Sequence, residues 1–123
     1  MHALIVDDSK PIRMILKVHL TKLGFEVTEA VNGLDGLGRL KGMAQADVVL
    51  VDWNMPVMDG ISFVRAVRAE HGYDALPLMM VTTNTELAQV SKALDAGANE
   101  YIMKPFTGDM IREKLELLGL LQT

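Results

Sequence analysis

Five side chains that can do chemistry stand directly after short apolar runs of the sequence. Asp7 and Asp8 follow one run, Asp52 follows a second, Thr82 a third and Lys104 a fourth. If those runs are strands of one parallel sheet, their carboxyl ends share an edge and these side chains meet there. The sequence therefore predicts a single site containing three carboxylates, a hydroxyl and an ammonium group.

The three carboxylates of this predicted site require a compensating cation. Like charges raise one another's pKa, so Asp7, Asp8 and Asp52 cannot all stay ionised unaided, and one lysine is too little. A hard divalent ion suits an all-oxygen site, and Mg²⁺ takes one or two carboxylates while keeping several waters. The alternative is that Asp7 and Asp8 only cap the following helix, where acidic residues are favoured. Asp52 and Lys104 on other strands favour a Mg²⁺ site.

Asp52 is the candidate nucleophile of this site. A carboxylate is already deprotonated near neutral pH, so it needs no general base to attack phosphorus. Such an attack spreads negative charge over three equatorial oxygens, which Mg²⁺, the Lys104 ammonium and the Thr82 hydroxyl could each meet. The predicted chemistry is phosphoryl transfer, with a hydrolysable acyl phosphate as its product.

The elements that must position these residues alternate along the chain. Branched apolar runs predict strands at 3–6, 25–30, 47–51, 78–81 and 100–103. Helical spacing follows each run, and glycines make the second helix, around 34–43, the weakest prediction. The predicted apolar faces of the other helices are Ile12, Ile15, Leu16, Leu20 and Leu23; Ile61, Val64 and Val67; Leu87, Val90 and Leu94; Ile111, Leu115 and Leu118. Thr83 and Glu86 have the spacing of a capping box before the fourth helix.

This alternation predicts an α/β fold with one doubly wound parallel sheet, because strand–helix–strand units cross over with right-handed connections. The runs 48–51 and 78–81 are apolar at every residue, which is typical of central strands covered on both faces. The length of 123 residues fits one domain, 1–123, with no output domain.

The combination of these motifs resembles the receiver domain of bacterial response regulators. The shared pattern is Asp-Asp after the first strand, Asp after the third, Thr after the fourth and Lys-Pro after the fifth. In length, and in the run Val51-Asp52-Trp53-Asn54-Met55-Pro56, the chain is similar to the single-domain chemotaxis regulators of that family. The resemblance spans essentially the whole chain and implies the flavodoxin-like strand order 2-1-3-4-5.

The resemblance also implies a role for each matching residue. Asp52 would accept the phosphoryl group, and Lys104 would contact it, with a cis Lys104–Pro105 bond. The Mg²⁺ ligands would be the carboxylates of Asp8 and Asp52 and the backbone carbonyl of Asn54, with Asp7 acting mainly through water. Thr82 and Tyr101 would form a switch pair, in which Thr82 turns towards the phosphoryl group and the Tyr101 ring fills the space it leaves.

Three positions bear on how fast this chemistry runs. The residue after the switch threonine is usually very small in the family, whereas here it is Thr83, whose bulk could narrow access to the site. Asn54 and Asn84 lie two residues beyond Asp52 and Thr82, at positions that tend to tune the lifetime of the phosphoryl group in the family. Trp53, the one tryptophan, is expected to be a partly exposed neighbour of the site.

Composition excludes several other classes of protein. The absence of cysteine excludes disulfides, zinc–thiolate sites and thiol catalysis. The net charge of −4 argues against nucleic acid or an anionic membrane as partner. The acidic N-terminal sequence does not resemble a signal peptide, and no apolar run reaches the roughly 18–20 residues of a membrane span. A cytoplasmic monomer is expected.

The expected function is a phosphorylation-activated switch of a two-component system, in which a histidine kinase is the phosphodonor. Phosphorylation would remodel the surface of the fourth helix, fifth strand and fifth helix, where the exposed candidates are Gln89, Lys92, Asn99 and Tyr101. A flagellar motor component is the first candidate target; a phosphorelay partner or a regulated kinase is the alternative, and a phosphatase is a further possible partner. The chain would catalyse only its own phosphorylation and dephosphorylation.

Two other classes of function fit less well. A hydrolase of the haloacid dehalogenase type also uses an Asp nucleophile after a strand, but it needs a second acid where Asn54 stands and usually a cap domain. A flavin-binding electron carrier of the same fold would want a hydroxyl-rich phosphate loop, whereas Asp7 and Asp8 would repel phosphate.

Overall fold

The computed structural model describes residues 1–83 and 89–122. Within these residues strands and helices alternate along the chain: β1 (His2–Val6), α1 (Lys10–Lys22), β2 (Glu26–Ala30), α2 (Gly33–Gly42), β3 (Val48–Asp52), α3 (Gly60–Ala69), β4 (Leu78–Thr82), α4 (Val90–Ala96), β5 (Glu100–Met103) and α5 (Gly108–Leu117). The predicted strands are confirmed to within one residue at each end.

The strands form one parallel sheet in the order β2-β1-β3-β4-β5. This confirms the doubly wound α/β fold and the predicted order 2-1-3-4-5. Every residue of β3 and of β4 is buried, as the continuous apolar runs indicated.

Alternate residues of the central strands enter two separate cores. Val49 and Val51 pack on one face, in a core to which α3 contributes Phe63 and Val64. Val48 and Leu50 pack on the opposite face with residues of α1 and α5, including Leu16, Leu20, Ile111 and Leu115. Because both faces of the sheet are covered, its carboxyl edge is left as the place where polar groups from several strands can gather.

The predicted apolar faces of two helices are partly wrong. In α1, Leu16 and Leu20 are buried, but Ile15 is 45% exposed; in the fourth helix, Leu94 is 42% exposed. Neighbouring helical residues point about 100° apart, so with Leu16 directed at the sheet the Ile15 side chain is turned towards the margin of the buried face. The predicted positions Glu86 and Leu87 lie outside the described residues.

The glycine-rich second helix is present as α2, capped by the Asn32 side chain, which accepts from the Asp35 N–H. Glycine lowers helix propensity, and the close packing around Gly36 explains why one stands in this helix. A Cβ there would lie 2.9 Å from the Phe63 ring and 3.0 Å from Val6. The glycine therefore lets α2 approach β1 and α3 closely.

Candidate functional site

The three predicted acids come together at the carboxyl edge of the sheet. Asp7, Asp8 and Asp52 each offer a carboxylate oxygen, and these oxygens lie within 4.8 Å of one another. Asp7 is 1% exposed and Asp52 is 6% exposed, whereas Asp8 faces solvent. Strand register explains why Asp7 and Asp52 lie side by side, since Val6 of β1 pairs with Val51 of β3 and each acid is the next residue.

Lys104 is the cation that contacts this cluster. Its Nζ donates to Asp52 Oδ1 at 3.0 Å and lies 3.9 Å from Asp7 Oδ2. Its backbone N–H donates to the Thr82 carbonyl at 2.7 Å, which fixes the end of β5 beside the end of β4. The Lys104–Pro105 peptide bond is cis, as the resemblance implied.

The alternative in which Asp7 and Asp8 cap α1 is not what the structure shows. Ser9 is the cap, since its side chain accepts from the Ile12 N–H, and no acidic residue lies in the first turn. Asp7 Oδ1 instead accepts the Ser9 N–H at 2.8 Å, and the Asp7 backbone carbonyl accepts from Arg13 Nη1 at 2.7 Å. Ser9 and Arg13 thus hold Asp7 in place, a role that sequence reasoning missed.

Burial and mutual repulsion shift the acid–base equilibria of the cluster. Burial, followed by the charge of Asp7, raises the pKa of Asp52 to about 6, while the hydrogen bond from Lys104 opposes the rise. Burial also raises the pKa of Asp7, against the opposing effects of the Ser9 N–H and Lys104. Both pKa values are therefore raised chiefly by burial, and the neighbouring carboxylates add to the rise.

One buried oxygen supports a cation at this site. Asp7 Oδ2 is the buried side-chain polar atom, among the described residues, that has no hydrogen-bond partner. Such atoms are rare in folded proteins and indicate a water or ion that the contacts of the chain do not supply. With three carboxylate oxygens close together and no softer ligand in the group, the donor set fits a hard divalent cation such as Mg²⁺.

The backbone after Asp52 is packed tightly against α3. A Cβ on Gly60 would lie 2.5 Å from the Asp52 carbonyl oxygen and 2.7 Å from Met80 Cε, and the Gly60 N–H donates to the Trp53 carbonyl. Gly60 is thus a further residue that positions the backbone of Asp52, and its signal in the sequence is its place after Asp59. Trp53 is half-buried, as predicted, and Asn54 is exposed.

Thr82 and Tyr101 lie at different depths of the sheet. Thr82 is buried at the end of β4, and its Oγ1 donates to the Thr83 carbonyl at 3.4 Å. Tyr101 is half-buried in β5 and pairs with Met80 of β4. Thr82 pairs instead with Met103, which lies two residues further along β5. The coupling of Thr82 and Tyr101 stays a prediction, as does the Asn54 carbonyl ligand, and Asn84 lies outside the described residues.

The predicted output surface is exposed only in part. Gln89, Lys92 and Asn99 are exposed, as expected. The Asn99 side chain is nevertheless engaged, because its Oδ1 accepts from the Leu78 N–H and from Arg68 Nη2, each at 2.8 Å. No helix in the described part of the chain has both the length and the apolar character to cross a membrane.

Comparisons with known proteins agree with this geometry. The chain is 44% identical over 119 residues to chemotaxis protein CheY1 of Helicobacter pylori, covering 96% of each chain. It is 46% identical over 117 residues to a CheY homologue of Campylobacter jejuni, covering 94% of this chain and 90% of the relative. The crystallised CheY4 of Vibrio cholerae superposes with a TM-score of 0.88 at 35% identity, covering 95% of this chain and 97% of that one.

The family itself is identified by its profile. Residues 3–116 match the response regulator receiver domain, a span that includes both of the buried acids, Thr82 and Lys104. These findings favour a receiver over a dehalogenase-type hydrolase or a flavin carrier. The chain therefore belongs to the response regulator receiver domain family and is a CheY-like, phosphorylation-activated switch of two-component signalling.

Proposed function

We propose that Asp52 is the phosphoacceptor of this receiver and that a histidine kinase is its phosphodonor. The observation that carries the proposal is the position of the Asp52 carboxylate. It lies within a cluster of three acids and is hydrogen-bonded to Lys104 at 3.0 Å. With a pKa of about 6, Asp52 is about nine-tenths ionised at pH 7 and is available as a nucleophile.

In this mechanism a carboxylate oxygen of Asp52 attacks the phosphorus of a phosphohistidine. The new P–O bond forms as the P–N bond breaks, and the electron pair of that bond returns to the imidazole. Lys104 is placed to neutralise charge on a phosphoryl oxygen, and the Thr82 hydroxyl is the candidate donor to a second one. The same residues would serve the later hydrolysis of the acyl phosphate, so the chain would catalyse only its own phosphorylation and dephosphorylation.

The cluster would hold Mg²⁺ during this chemistry. Asp8 and Asp52 would bind the ion by their carboxylates, the Asn54 backbone carbonyl would be a further ligand, and Asp7 would act mainly through water. The ion would offset the charge of the acids and of the incoming phosphoryl group. Asp7 Oδ2 supports this assignment, since an ordered water on the ion would give it a hydrogen-bond partner, whereas Lys104 at 3.9 Å is too distant to donate to it.

The output would be a change of protein-binding surface. Phosphorylation would turn Thr82 and move Tyr101, altering the face made by α4, β5 and α5. Changing a 1:99 equilibrium into 99:1 requires about 5.5 kcal/mol, which a few charge-assisted bonds to a dianionic group can supply. The CheY relatives favour a chemotaxis target such as a flagellar motor component; a phosphorelay or regulated kinase is the alternative.

The proposal also covers the setting in which the domain acts. The receiver would work as a single unit, 1–123, and as a monomer. It would act in the cytoplasm, where kinases and free Mg²⁺ are both present. Its partners would be the kinase, one downstream protein and a possible phosphatase. Nucleic acid and membrane are not among the proposed partners, because the overall charge of −4 disfavours phosphate-rich surfaces.

The test uses Trp53 as the reporter, since it is the single tryptophan and adjoins Asp52. Mg²⁺ is added first, and beryllofluoride or acetyl phosphate is then titrated while the emission of Trp53 is followed. We expect a saturable response to each addition, and a covalent label from phosphodonor that hydroxylamine removes and that maps to Asp52. Both the beryllofluoride response and the label are expected to be lost in Asp52→Asn.

Asp95→Asn is the matched control, because it removes the same charge from an exposed position on α4. It is expected to respond as the unmodified protein does. Labelling that persists in Asp52→Asn would overturn the assignment of the phosphoacceptor. Steady turnover of a phosphate ester would instead support a hydrolase.

A further inference from the structure

The ring of Tyr101 lies beneath a cation from α5. Lys114 Nζ is 4.7 Å from the centroid of the ring, within the range of a cation–π contact. Tyr101 also packs against the core between the sheet and α3, so its ring is held between that core and Lys114. Movement of the ring towards the end of β4, where Thr82 lies, would give up the contact with Lys114.

A neighbouring carboxylate fixes the position of that cation. Glu100 Oε1 accepts from Lys114 Nζ at 2.9 Å and from the backbone N–H of Tyr101 at 3.0 Å. One oxygen therefore joins the α5 cation to the backbone of the very residue whose ring the cation covers. The two side chains are partly buried, 26% exposed for Lys114 and 19% for Glu100, so solvent screens the pair less than an open surface pair.

We propose that Glu100 and Lys114 form a clasp that positions the Tyr101 ring and sets how readily it moves. Lys114 attracts the ring, and Glu100 restricts Lys114 to the place from which it can do so. Glu100 also satisfies an N–H of the edge strand β5, which ties the clasp to the strand rather than to side chains alone. The link from ring to phosphorylation rests on the proposed function of Asp52 and Thr82.

The position of the ring can be measured without any ligand. The protein contains two tyrosines, so fluorotyrosine labelling gives two ¹⁹F resonances, and Tyr73→Phe assigns that of Tyr101. We expect Lys114→Met, which keeps the aliphatic stem, to shift or broaden the Tyr101 resonance, and Lys114→Arg to retain it. Glu100→Gln should have the same effect as Lys114→Met, but smaller, because it frees Lys114 without removing it.

Lys41→Met is the matched control for the loss of a lysine from an ion pair. Lys41 pairs with Glu70 at 3.3 Å on the surface, and that pair is 59% and 46% exposed. Lys41→Met should leave the Tyr101 resonance unchanged. A Tyr101 resonance identical in Lys114→Met and in the unmodified protein would overturn the clasp, whatever Asp52 does.

The second measurement tests the link to the site. With Mg²⁺ present, Lys114→Met is expected to bind beryllofluoride about two- to fivefold more tightly, because the ring no longer forfeits a cation–π contact when it moves. In a Tyr101→Leu background the same substitution should change the affinity by less than about 1.5-fold, since no ring remains for Lys114 to hold. If Lys114 acted on the site by its charge and not through the ring, the change in affinity would persist in the Tyr101→Leu background, which would contradict the proposal.

The two measurements separate failure of the clasp from failure of the proposed function. If the unmodified protein does not bind beryllofluoride, the proposed function is wrong, and the ¹⁹F resonance still decides the clasp. If the resonance moves but the affinity of Lys114→Met is unchanged, Glu100 and Lys114 do not regulate the switch.

Discussion

The carboxyl group of Asp52 makes the stability of the protein depend on pH. In the unfolded chain its pKa is near 3.8, and in the folded protein it is about 6. Between these values the folded state binds more protons than the unfolded state, so this group lowers stability as the pH rises from about 4 to about 6. At neutral pH the whole of this loss of stability is present.

Asp52→Asn is therefore expected to stabilise the metal-free protein, by up to about 3 kcal/mol at pH 7.5 and by much less at pH 4.5. Urea denaturation at the two pH values measures the difference. Asp95→Asn serves again as the control and should show no such dependence. A gain from Asp52→Asn that is equal at both pH values would mean that the desolvated charge is not its cause.

The backbone conformation of Val57, close to the site, is a second local feature that lowers the stability of the fold. It has φ of +71°, it is 76% exposed, and the Met58 N–H donates to the Pro56 carbonyl, which makes Val57 the central residue of a γ-turn. This turn with positive φ is the strained form, and a β-branched side chain is poorly suited to it. The exposed side chain contributes little packing in return.

Val57→Asn is expected to raise the free energy of unfolding by about 1–2 kcal/mol, because asparagine tolerates positive φ far better than valine. Val57→Ala, which keeps the unfavourable φ without the branched side chain, should gain less. Chemical denaturation measures both. A Val57→Asn protein no more stable than the original would show that the surroundings of Val57 compensate for its backbone conformation.

The main residues of the site could be predicted because their positions depend on topology. Asp7, Asp52 and Lys104 each stand at the carboxyl end of a strand, and a parallel sheet brings such residues to one edge whatever the detailed packing. The roles of Arg13 and Glu100 could not be predicted in this way. Each depends on the direction of a long side chain and on a partner that the sequence does not specify.

At the scale of elements, the strands were easier to predict than the faces of the helices. A continuous apolar run can only be a buried strand in this alternation, whereas a helix such as α1 has apolar residues around more than half of its circumference. Which of them is buried is decided by the sheet. The exposure of Ile15 and Leu94 is therefore a tertiary effect that periodicity alone does not contain.

Arg68 joins elements that the sequence does not connect. From α3 its guanidinium donates to the Gly97 carbonyl at 2.9–3.0 Å, to the Tyr73 carbonyl at 2.6 Å and to Asn99 Oδ1 at 2.8 Å. Asn99 in turn accepts the N–H of Leu78, the first residue of β4. The end of α3, the start of β4 and the turn between α4 and β5 thus share one cation.

Arg68→Met is expected to lower the free energy of unfolding by about 2–3 kcal/mol, because it keeps the aliphatic stem but leaves partly buried carbonyls unpaired. Arg65→Met is the control, since Arg65 is exposed on the same helix, and it should change stability by less than about 0.5 kcal/mol. Urea denaturation compares the variants, and faster amide exchange at residues 97–99 should accompany the Arg68 loss. Equal losses in both variants would contradict a specific role for the network.

At the scale of the whole molecule, two well-packed cores support an edge that is electrostatically unfavourable. Both faces of the sheet are filled by fully buried side chains, while the edge holds Asp7 and Asp52 with raised pKa values. The folded protein therefore carries a desolvation cost, and a repulsion between Asp52 and the adjacent Asp7 and Asp8, that the unfolded chain lacks. Any cation that binds the cluster must stabilise the fold.

Mg²⁺ is accordingly expected to raise the midpoint of urea unfolding with the logarithm of its concentration once that exceeds the dissociation constant, with a gain of about 2.7 kcal/mol at one hundred times that constant. Asp8→Asn should remove most of this gain while leaving the metal-free stability nearly intact, because Asp8 is exposed. Sodium chloride at matched ionic strength controls for general screening. Mg²⁺ should also flatten the dependence of stability on pH between 4 and 6, since it favours ionised Asp52. If sodium and magnesium salts raise the midpoint equally, or if Asp8→Asn gains as much as the unmodified protein, then these acids do not form a specific cation site.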